Sequence, residues 1–309
     1  VDAEDDLDEE EAEERAGELE RALESTEPFL AATGGLDGTL RLWWLPAAPP
    51  PSRSRRGGAS SASDHPLYAT HSGLGHQVSS LSVGSAGNAV WGLQYCPIQR
   101  HLWTHTPDGA RAWRFVEDAM EEVVHLPPGL SADSVDSSVA SCFHAHSSGK
   151  TVAVGVNNGL LVVMDVESQR PLLTRQPEAS ARSHPSSLLL LDPDGGSGSG
   201  GDALSAQLLV GWSDGKLELL DLRSGAPIRH LVAHSGSVER MALGPAGCAV
   251  VTAGRDGSVR VWDARTMTAV QDLPAHARKF DESCLSVACH PSLPAVLSSG
   301  ADGVVKLYA

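Results

Sequence analysis

Apolar and polar residues alternate in short runs along this chain, the pattern of a half-buried β-strand. Each run follows an Asp-Gly or Asn-Gly pair, which favours a tight turn because both residues tolerate a positive φ. Another short apolar run precedes each pair, so the pattern predicts a hairpin repeated six times. The six turns with their second strands are DGTLRLWWL (37–45), DGARAWRFV (108–116), NGLLVVMDV (158–166), DGKLELLDL (214–222), DGSVRVWDA (256–264) and DGVVKLYA (302–309).

The spacing of these turns predicts the kind of β-fold. Successive turns lie 71, 50, 56, 42 and 46 residues apart, and a four-stranded propeller blade takes about 40–45 residues. The first step is too long for one blade and too short for two. We predict an all-β propeller of six to seven blades over residues 26–309. We expect an incomplete ring, because the first blade begins near Pro28 with its second strand and the last blade ends on its third.

Three stretches depart from the repeat. Residues 1–25 are rich in Glu, Ala, Leu and Arg, and they predict an acidic leader that is helical or disordered. Residues 46–64 form a linker rich in Pro, Arg and Ser, a composition that excludes a central strand. Residues 192–202 are predicted to form a flexible loop rich in Gly and Ser.

The acidic excess of the chain is confined to its first residues. The formal net charge is −16, but residues 1–28 hold fourteen Asp and Glu against two Arg, and the remainder holds twenty-five acids against twenty-one bases. The nearly neutral remainder offers no basic stripe, so we expect no nucleic-acid partner; the Arg cluster at 53–56 is the one feature that favours such a partner. No apolar run approaches the roughly 18 residues that cross a bilayer, so we expect no membrane insertion. Five scattered cysteines favour a cytoplasmic setting.

The last complete repeat, LVAHSGSV…VVTAGRDGSVRVWD, resembles the WD-repeat β-propeller family. In that family a His before the blade, a Ser or Thr on the second strand, the turn Asp and the strand Trp form a hydrogen-bonded structural tetrad. Such a network also satisfies the N–H of a half-buried indole. By position, the resemblance assigns this tetrad to His234, Thr252, Asp256 and Trp262. In the final blade it assigns the tetrad to His276, Ser298, Asp302 and Tyr308.

The tetrad is degenerate in the earlier repeats. The remaining turn residues are Asp37, Asp108, Asn158 and Asp214. Met164 and Leu220 stand where the third and fourth hairpins would carry Trp. Val154 and Val210 replace the Ser or Thr of the same hairpins, and Trp113 comes one residue early in the second. We expect these blades to rest mainly on hydrophobic packing.

Ser, His and Asp are also the residues of a catalytic triad, the alternative role for the same set. The set recurs in successive repeats, whereas a nucleophile needs one activated site. We therefore expect no catalytic residue. Cys284, Cys289 and His290 suggest zinc, but alternate side chains of a strand point to opposite faces and no second ligand pair follows. We expect no metal site and no cofactor.

Longer stretches resemble the C-terminal propeller of the striatin family. They are AVWGLQYCPIQRHL (89–102), DGTLRLW (37–43) followed by a Pro-rich basic spacer and HPLYATH (65–71), and above all the final segment 275–309. The resemblance implies a non-catalytic, cytoplasmic scaffold, a regulatory and targeting subunit that assembles protein phosphatase 2A with kinases and adaptors. The family's coiled coil and calmodulin-binding segment have no counterpart in this sequence. It therefore supports no calmodulin binding and assigns phosphatase binding to no particular residue.

The loops beside the turn Asp residues are the predicted partner-binding surface. Trp212 and Arg255 come shortly before a turn, and Lys279 and Phe280 lie in ARKFDES, a loop longer than its counterpart HSGSV. A Phe between charges is typical of an interface anchor, although it also suits packing beneath its own loop. Two other functions stay open. One is a WD-repeat adaptor of another complex, nucleic-acid-associated or a ubiquitin-ligase substrate receptor, and the other is a propeller enzyme.

Overall fold

The computed structural model describes most of the chain from residue 29 onward. The described ranges are 29–45, 76–83, 89–116, 119–126, 139–176, 183–191, 207–279 and 281–309. The predicted leader, linker and Gly/Ser-rich loop lie outside these residues, as do Phe280 and the Arg cluster at 53–56. Within the described ranges, all regular structure is β-strand except one 3₁₀ turn at Pro245–Gly247. The all-β prediction is therefore confirmed.

The described strands form six sheets of three or four strands. The first three sheets consist of β1 (Phe29–Gly34), β2 (Thr39–Leu45) and β3 (His76–Ser82); β4 (Gly92–Cys96), β5 (His101–Thr106), β6 (Gly109–Val116) and β7 (Ala119–Leu126); and β8 (Ala140–Ala145), β9 (Thr151–Val156), β10 (Leu161–Asp165) and β11 (Pro171–Arg175). The last three consist of β12 (Pro185–Leu191), β13 (Gln207–Trp212), β14 (Lys216–Asp221) and β15 (Pro227–Val232); β16 (Val238–Leu243), β17 (Ala249–Gly254), β18 (Ser258–Asp263) and β19 (Ala269–Pro274); and β20 (Cys284–Cys289), β21 (Val296–Gly300) and β22 (Val305–Tyr308). Each sheet is one propeller blade, so the described residues form six blades, within the predicted range of six to seven.

All six predicted hairpins are present in the described residues. They join β1 to β2, β5 to β6, β9 to β10, β13 to β14, β17 to β18 and β21 to β22. The turn glycine of each has a positive φ, between 73° and 124°, whereas none of the turn Asp and Asn residues does. The left-handed backbone conformation therefore falls on glycine alone, the residue that adopts it without a steric penalty.

Two compact units hold these sheets. Most of the first sheet belongs to one unit, and the five later sheets form the other. Within the second unit, neighbouring sheets pack in chain order through their first strands. Side chains also join these strands across the gap: Ser141 donates to the Pro185 carbonyl at 2.6 Å, and Ser186 donates to the Val238 carbonyl at 2.7 Å.

The core of the second unit lies between neighbouring blades. A separate apolar cluster fills each gap between successive sheets, and the predicted packing of the degenerate blades is found there. Val154 and Met164 belong to the cluster between the second and third sheets. Val210 and Leu220 are fully buried in the cluster between the third and fourth. Apolar side chains thus fill the positions at which the last blades carry hydrogen-bonding groups.

The turn glycines differ in what surrounds them, which yields a matched test. A Cβ on Gly257 would collide with the His276 carbonyl oxygen, and φ is +88°. A Cβ on Gly303, with φ +79°, would meet no atom within 4 Å. We expect Gly303→Ala to lower the free energy of unfolding by about 1 kcal/mol through backbone strain alone. Gly257→Ala should cost roughly 2–4 kcal/mol, because the collision adds to the strain. Equal losses in urea unfolding would contradict the close approach.

Candidate functional site

Hydrogen bonds join the four residues assigned to the tetrad of the fifth blade. The Trp262 Nε1–H donates to Thr252 Oγ1 at 3.0 Å, and Thr252 Oγ1 lies 2.7 Å from His234 Nε2. His234 Nδ1 lies 3.0 Å from Asp256 Oδ1. An ionised carboxylate only accepts, so Nδ1 carries the proton and Nε2 accepts from the threonine hydroxyl. Each polar group in this chain of bonds therefore has a partner.

The Asp256 carboxylate also holds main-chain groups on both sides of it. Its Oδ2 accepts from the Ser235 N–H at 3.0 Å, in the loop that leads into the blade. Its Oδ1 accepts from the Ser258 N–H at 3.1 Å, at the start of β18. Burial acts to raise the pKa of Asp256, but hydrogen bonds from the imidazole, the Ser235 N–H and Ser258 outweigh it and hold the pKa well below the usual carboxyl value. The carboxylate thus stays charged and fastens the leading loop to the turn.

The order of groups in this network matches a hydrolase triad, with a hydroxyl at Nε2 and a carboxylate at Nδ1 of one imidazole. The burial of these side chains distinguishes this structural network from a catalytic triad. Thr252 is fully buried, His234 is 1% exposed, and Thr252 Oγ1 is already occupied by the indole N–H. A nucleophile must reach a substrate carbonyl, and this hydroxyl has no open side. The network is closed to substrates.

The sixth blade carries the same arrangement with one member missing. His276 Nδ1 lies 3.1 Å from Asp302 Oδ1, and His276 Nε2 lies 2.7 Å from Ser298 Oγ. The assignment of Tyr308 to this tetrad is wrong. Its hydroxyl is buried without a hydrogen-bond partner among the described residues. An indole carries its N–H on the side of the ring, whereas a phenol carries its O–H at the tip, and this hydroxyl makes no hydrogen bond to Ser298.

Two further blades contain the hydrogen bond from tryptophan to threonine that belongs to this network. The sequence analysis did not predict these two bonds. The Trp43 indole donates to Thr33 Oγ1 at 2.8 Å, and the Trp113 indole donates to Thr104 Oγ1 at 2.9 Å. Trp113 comes one residue early only because its turn is one residue shorter. In the sheet it lies opposite Leu102, just as Trp262 lies opposite Val250. A threonine four residues before the turn Asp is the sequence signal for all three bonds.

The turn residues of the second, third and fourth blades have local partners among the described residues. Asp108 pairs with the Arg111 guanidinium, Nη2 to Oδ2 at 2.9 Å, and the Arg111 side chain is almost fully buried. Asn158 Oδ1 accepts from the Leu160 N–H at 3.0 Å. Asp214 pairs with the exposed Lys216 ammonium. In the first blade, Asp37 accepts from the main chain and the hydroxyl of Thr39.

Three of the four residues predicted to bind a partner lie at one edge of the second unit. Trp212 ends β13, Arg255 follows β17, and Lys279 lies in the loop after β19. Second and fourth strands of an antiparallel sheet run in the same direction, so their ends share an edge. Arg255 lies 2.9 Å from Glu239 Oε1, while nearly half of its side chain is exposed. Trp212 is half-buried against the cluster between the third and fourth sheets. We name these three residues the loop face.

Outside these networks, the described residues show few features of a metal site, a membrane-spanning segment or a reactive thiol. They contain no group of three or more His, Cys, Asp or Glu that could hold a metal ion. None of the helices in the described part of the chain is long and apolar enough to span a membrane. Cys96, Cys142, Cys284 and Cys289 form no disulfide bond, and burial raises the pKa of the Cys142 thiol to about 12.

The turn network makes a direct prediction about Asp256. Asp256→Ala removes the charged acceptor of the buried His234 N–H and leaves it only Ser258 Oγ, 3.1 Å away. It also removes the acceptor of the Ser235 and Ser258 N–H groups, so the free energy of unfolding should fall by about 1–3 kcal/mol. A lowered pKa means that this contribution is complete above the ordinary carboxyl value of 3.8 and is lost as the pH falls below it. The difference between the two proteins in urea unfolding should therefore shrink below that pH.

The matched control is Asp272→Ala, because Asp272 is an exposed carboxylate paired at the surface with Arg260. It should change the free energy of unfolding by less than about 0.5 kcal/mol. An unchanged melting temperature for Asp256→Ala, together with lost partner binding, would contradict the fastening role.

Comparison with known proteins identifies the repeats. The family described as "WD domain, G-beta repeat" matches residues 225–263 and 267–309. These segments contain the outer strand of the fourth blade and most of the fifth and sixth, the part of the chain with both histidine networks. Residues 225–263 and 267–309 therefore carry WD40 repeats, and the six sheets of the described residues are blades of the kind that WD-repeat propellers contain.

Curated relatives extend the similarity over most of the chain. It is 29% identical to striatin-4 of Homo sapiens over 225 residues, 72% of this chain and 28% of that protein. It is 23% identical to the striatin homolog of Dictyostelium discoideum over 291 residues, 89% of this chain and 31% of that protein. It is 25% identical to striatin-3 of Rattus norvegicus over 290 residues, 89% of this chain and 31% of that protein. The chain thus spans less than a third of each of these relatives, and its resemblance to the striatin family is confirmed.

Proposed function

We propose that this chain is a non-catalytic scaffold that binds partner proteins through the loop face. The observation that carries the proposal is the closed network of Asp256 and His234 beneath this edge. It fixes the leading loop and the turn, and it leaves the Arg255 side chain partly exposed beside them. Loops held in advance lose little conformational entropy on binding, which favours recognition.

The side chains of the loop face suit a protein partner. Trp212 combines a half-buried ring with an exposed part, the behaviour of an interface anchor. Arg255 and Lys279 add two positive charges at the same edge. Backbone bonds between Lys279 and Glu282, at 2.7 and 3.0 Å, close a tight turn in the loop after β19. This combination favours a partner that presents apolar and acidic side chains together.

At a finer level, we assign the chain the role of a striatin-like regulatory and targeting subunit. In this role it assembles protein phosphatase 2A subunits with kinases and adaptors in the cytoplasm. Similarity to striatins over 72–89% of the chain supports this assignment. The WD40 repeats support the coarser role of an interaction scaffold.

Affinity purification with mass spectrometry tests both levels. The full chain should recover phosphatase 2A subunits, kinases or adaptors from a cytoplasmic extract. The double variant Arg255→Gln/Lys279→Gln should recover at least about fivefold less of them, because it removes both cations of the loop face. Recovery of no phosphatase, kinase or adaptor component by the unaltered chain would contradict the striatin-like role.

A second double variant provides the control. Arg223→Gln/Arg265→Gln also removes two exposed arginines, but these follow β14 and β18 and lie at the opposite edge of their sheets. It should bind the same proteins as the unaltered chain. Equal losses from both double variants would show an effect of net charge and would contradict binding at the loop face.

A further inference from the structure

A cavity of about 600 Å³ lies within the second unit, where the first strands of four successive blades end. Its wall includes the last residues of β4, β8, β12 and β16. The third strands of these sheets end at the same edge, which is opposite to the loop face. Cavities of this size commonly hold a small organic ligand. We call this space the inner cavity.

The wall of the inner cavity combines apolar surface with positive charge. Arg265, an exposed residue that follows β18, contributes a guanidinium, and none of the described residues in the wall is Asp or Glu. A charged ligand with an apolar body would therefore be attracted as an anion and repelled as a cation. The apolar part of the wall includes Pro97, Leu189, Leu191, Leu243 and Pro291.

The Gln94 amide in this wall is held by the main chain of β8. Its Oε1 accepts from the Ala145 N–H at 2.8 Å, and its Nε2 donates to the Ala145 carbonyl at 2.6 Å. These two bonds identify the oxygen and the nitrogen of the amide, because the nitrogen cannot accept from an N–H. An amide nitrogen carries two hydrogens. Gln94 Nε2 therefore keeps one further hydrogen to donate.

The His144 ring, on β8, supplies a second donor. Burial lowers the pKa of His144 to about 3, and the charges of His146 and Arg240 act in the same direction, so the ring is neutral at neutral pH. Its Nδ1 accepts from the Leu190 N–H at 3.2 Å. A neutral imidazole has one accepting and one donating nitrogen. His144 Nε2 therefore carries the proton.

These two donors face each other without an acceptor. Gln94 Nε2 lies 3.5 Å from His144 Nε2, and two N–H donors cannot bond to each other. Among the described residues, no acceptor receives the His144 Nε2–H or the second hydrogen of Gln94 Nε2. An oxygen about 2.9 Å from both nitrogens would accept from both of them. The wall of the inner cavity thus has paired donors that a ligand oxygen would satisfy.

We propose that the inner cavity binds a small apolar carboxylate. One carboxylate oxygen accepts from Gln94 Nε2 and His144 Nε2, and the Arg265 guanidinium attracts the negative charge. The apolar body of the ligand packs against the leucine and proline side chains of the wall. The inner cavity lies at the opposite edge from the loop face and takes a small molecule, so failure of either proposal leaves the other standing.

Two probes of nearly equal size test the preference for a carboxylate. Naphthylacetate carries the carboxylate on an aromatic body, and naphthylethanol carries a hydroxyl in its place. Titrated into the full chain in a calorimeter, naphthylacetate should bind with a dissociation constant below about 1 mM. Naphthylethanol should bind at least about tenfold more weakly, because its hydroxyl is uncharged and forms weaker hydrogen bonds with the same donors.

His144→Phe tests the paired donors, since it removes one N–H and keeps an aromatic ring. It should weaken binding of naphthylacetate at least about fivefold and change binding of naphthylethanol less than about twofold. A histidine that only shapes the cavity would affect both probes alike. Circular dichroism shows whether this variant is folded.

Arg265→Gln tests the charge at an exposed position, where the fold does not depend on the side chain. It should weaken binding of naphthylacetate at least about threefold at low salt. Arg223→Gln is the matched control. Arg223 is the corresponding exposed arginine after β14, and the main-chain N–H of each arginine donates to the Asp two residues before it. Arg223 lies outside the described wall of the inner cavity, so its variant should bind as the unaltered chain does.

Several results would overturn the proposal. They are the absence of binding at about 1 mM naphthylacetate, equal affinity for the two probes, and equal losses of both probes in His144→Phe. Equal losses from the two arginine variants would show an effect of net charge rather than of the cavity. Displacement of naphthylacetate by an equal concentration of inorganic phosphate would assign the donors to a simple anion and contradict an apolar ligand.

Discussion

A buried imidazole held between a carboxylate and a hydroxyl is the interaction on which the last two blades depend. His234 and His276 each join three parts of a blade: the leading loop, the turn, and the second strand. The ring has room because the strand ends in glycine, at Gly254 and Gly300, where any Cβ would collide with the imidazole. Removing a partner would leave a buried polar group unsatisfied, so the parts are fixed together.

The earlier blades show what the fold requires and what it does not. Among the described residues, the third and fourth blades have no such imidazole network, yet their second and third strands are largely buried, with Val154, Val210 and Leu220 inside the clusters between sheets. Hydrophobic packing between blades is thus sufficient to hold a hairpin. The histidine networks add a fixed loop conformation, and the loop face lies at the edge where they occur.

Period-two patterning and the turn dipeptides predicted all six hairpins, since both are local properties of the sequence. The burial of the Thr252 hydroxyl could not be predicted from the sequence, because it depends on how neighbouring blades pack. Residue type also misled at Tyr308, where an aromatic ring in the correct register leaves its buried hydroxyl without a hydrogen-bond partner among the described residues. The ion pair between Arg111 and the turn residue Asp108 was likewise not predicted, because only the side-chain geometry shows it.

A double-mutant cycle between His234 and Asp256 tests the central claim, that their contact is a structural fastening. The free energies of unfolding of the unaltered chain, His234→Ala, Asp256→Ala and the double variant are measured in urea at neutral pH. We expect a coupling free energy of at least about 1 kcal/mol, because each single change removes the same contact and leaves the other member of the pair without it. Additive losses, with a coupling near zero, would contradict the account.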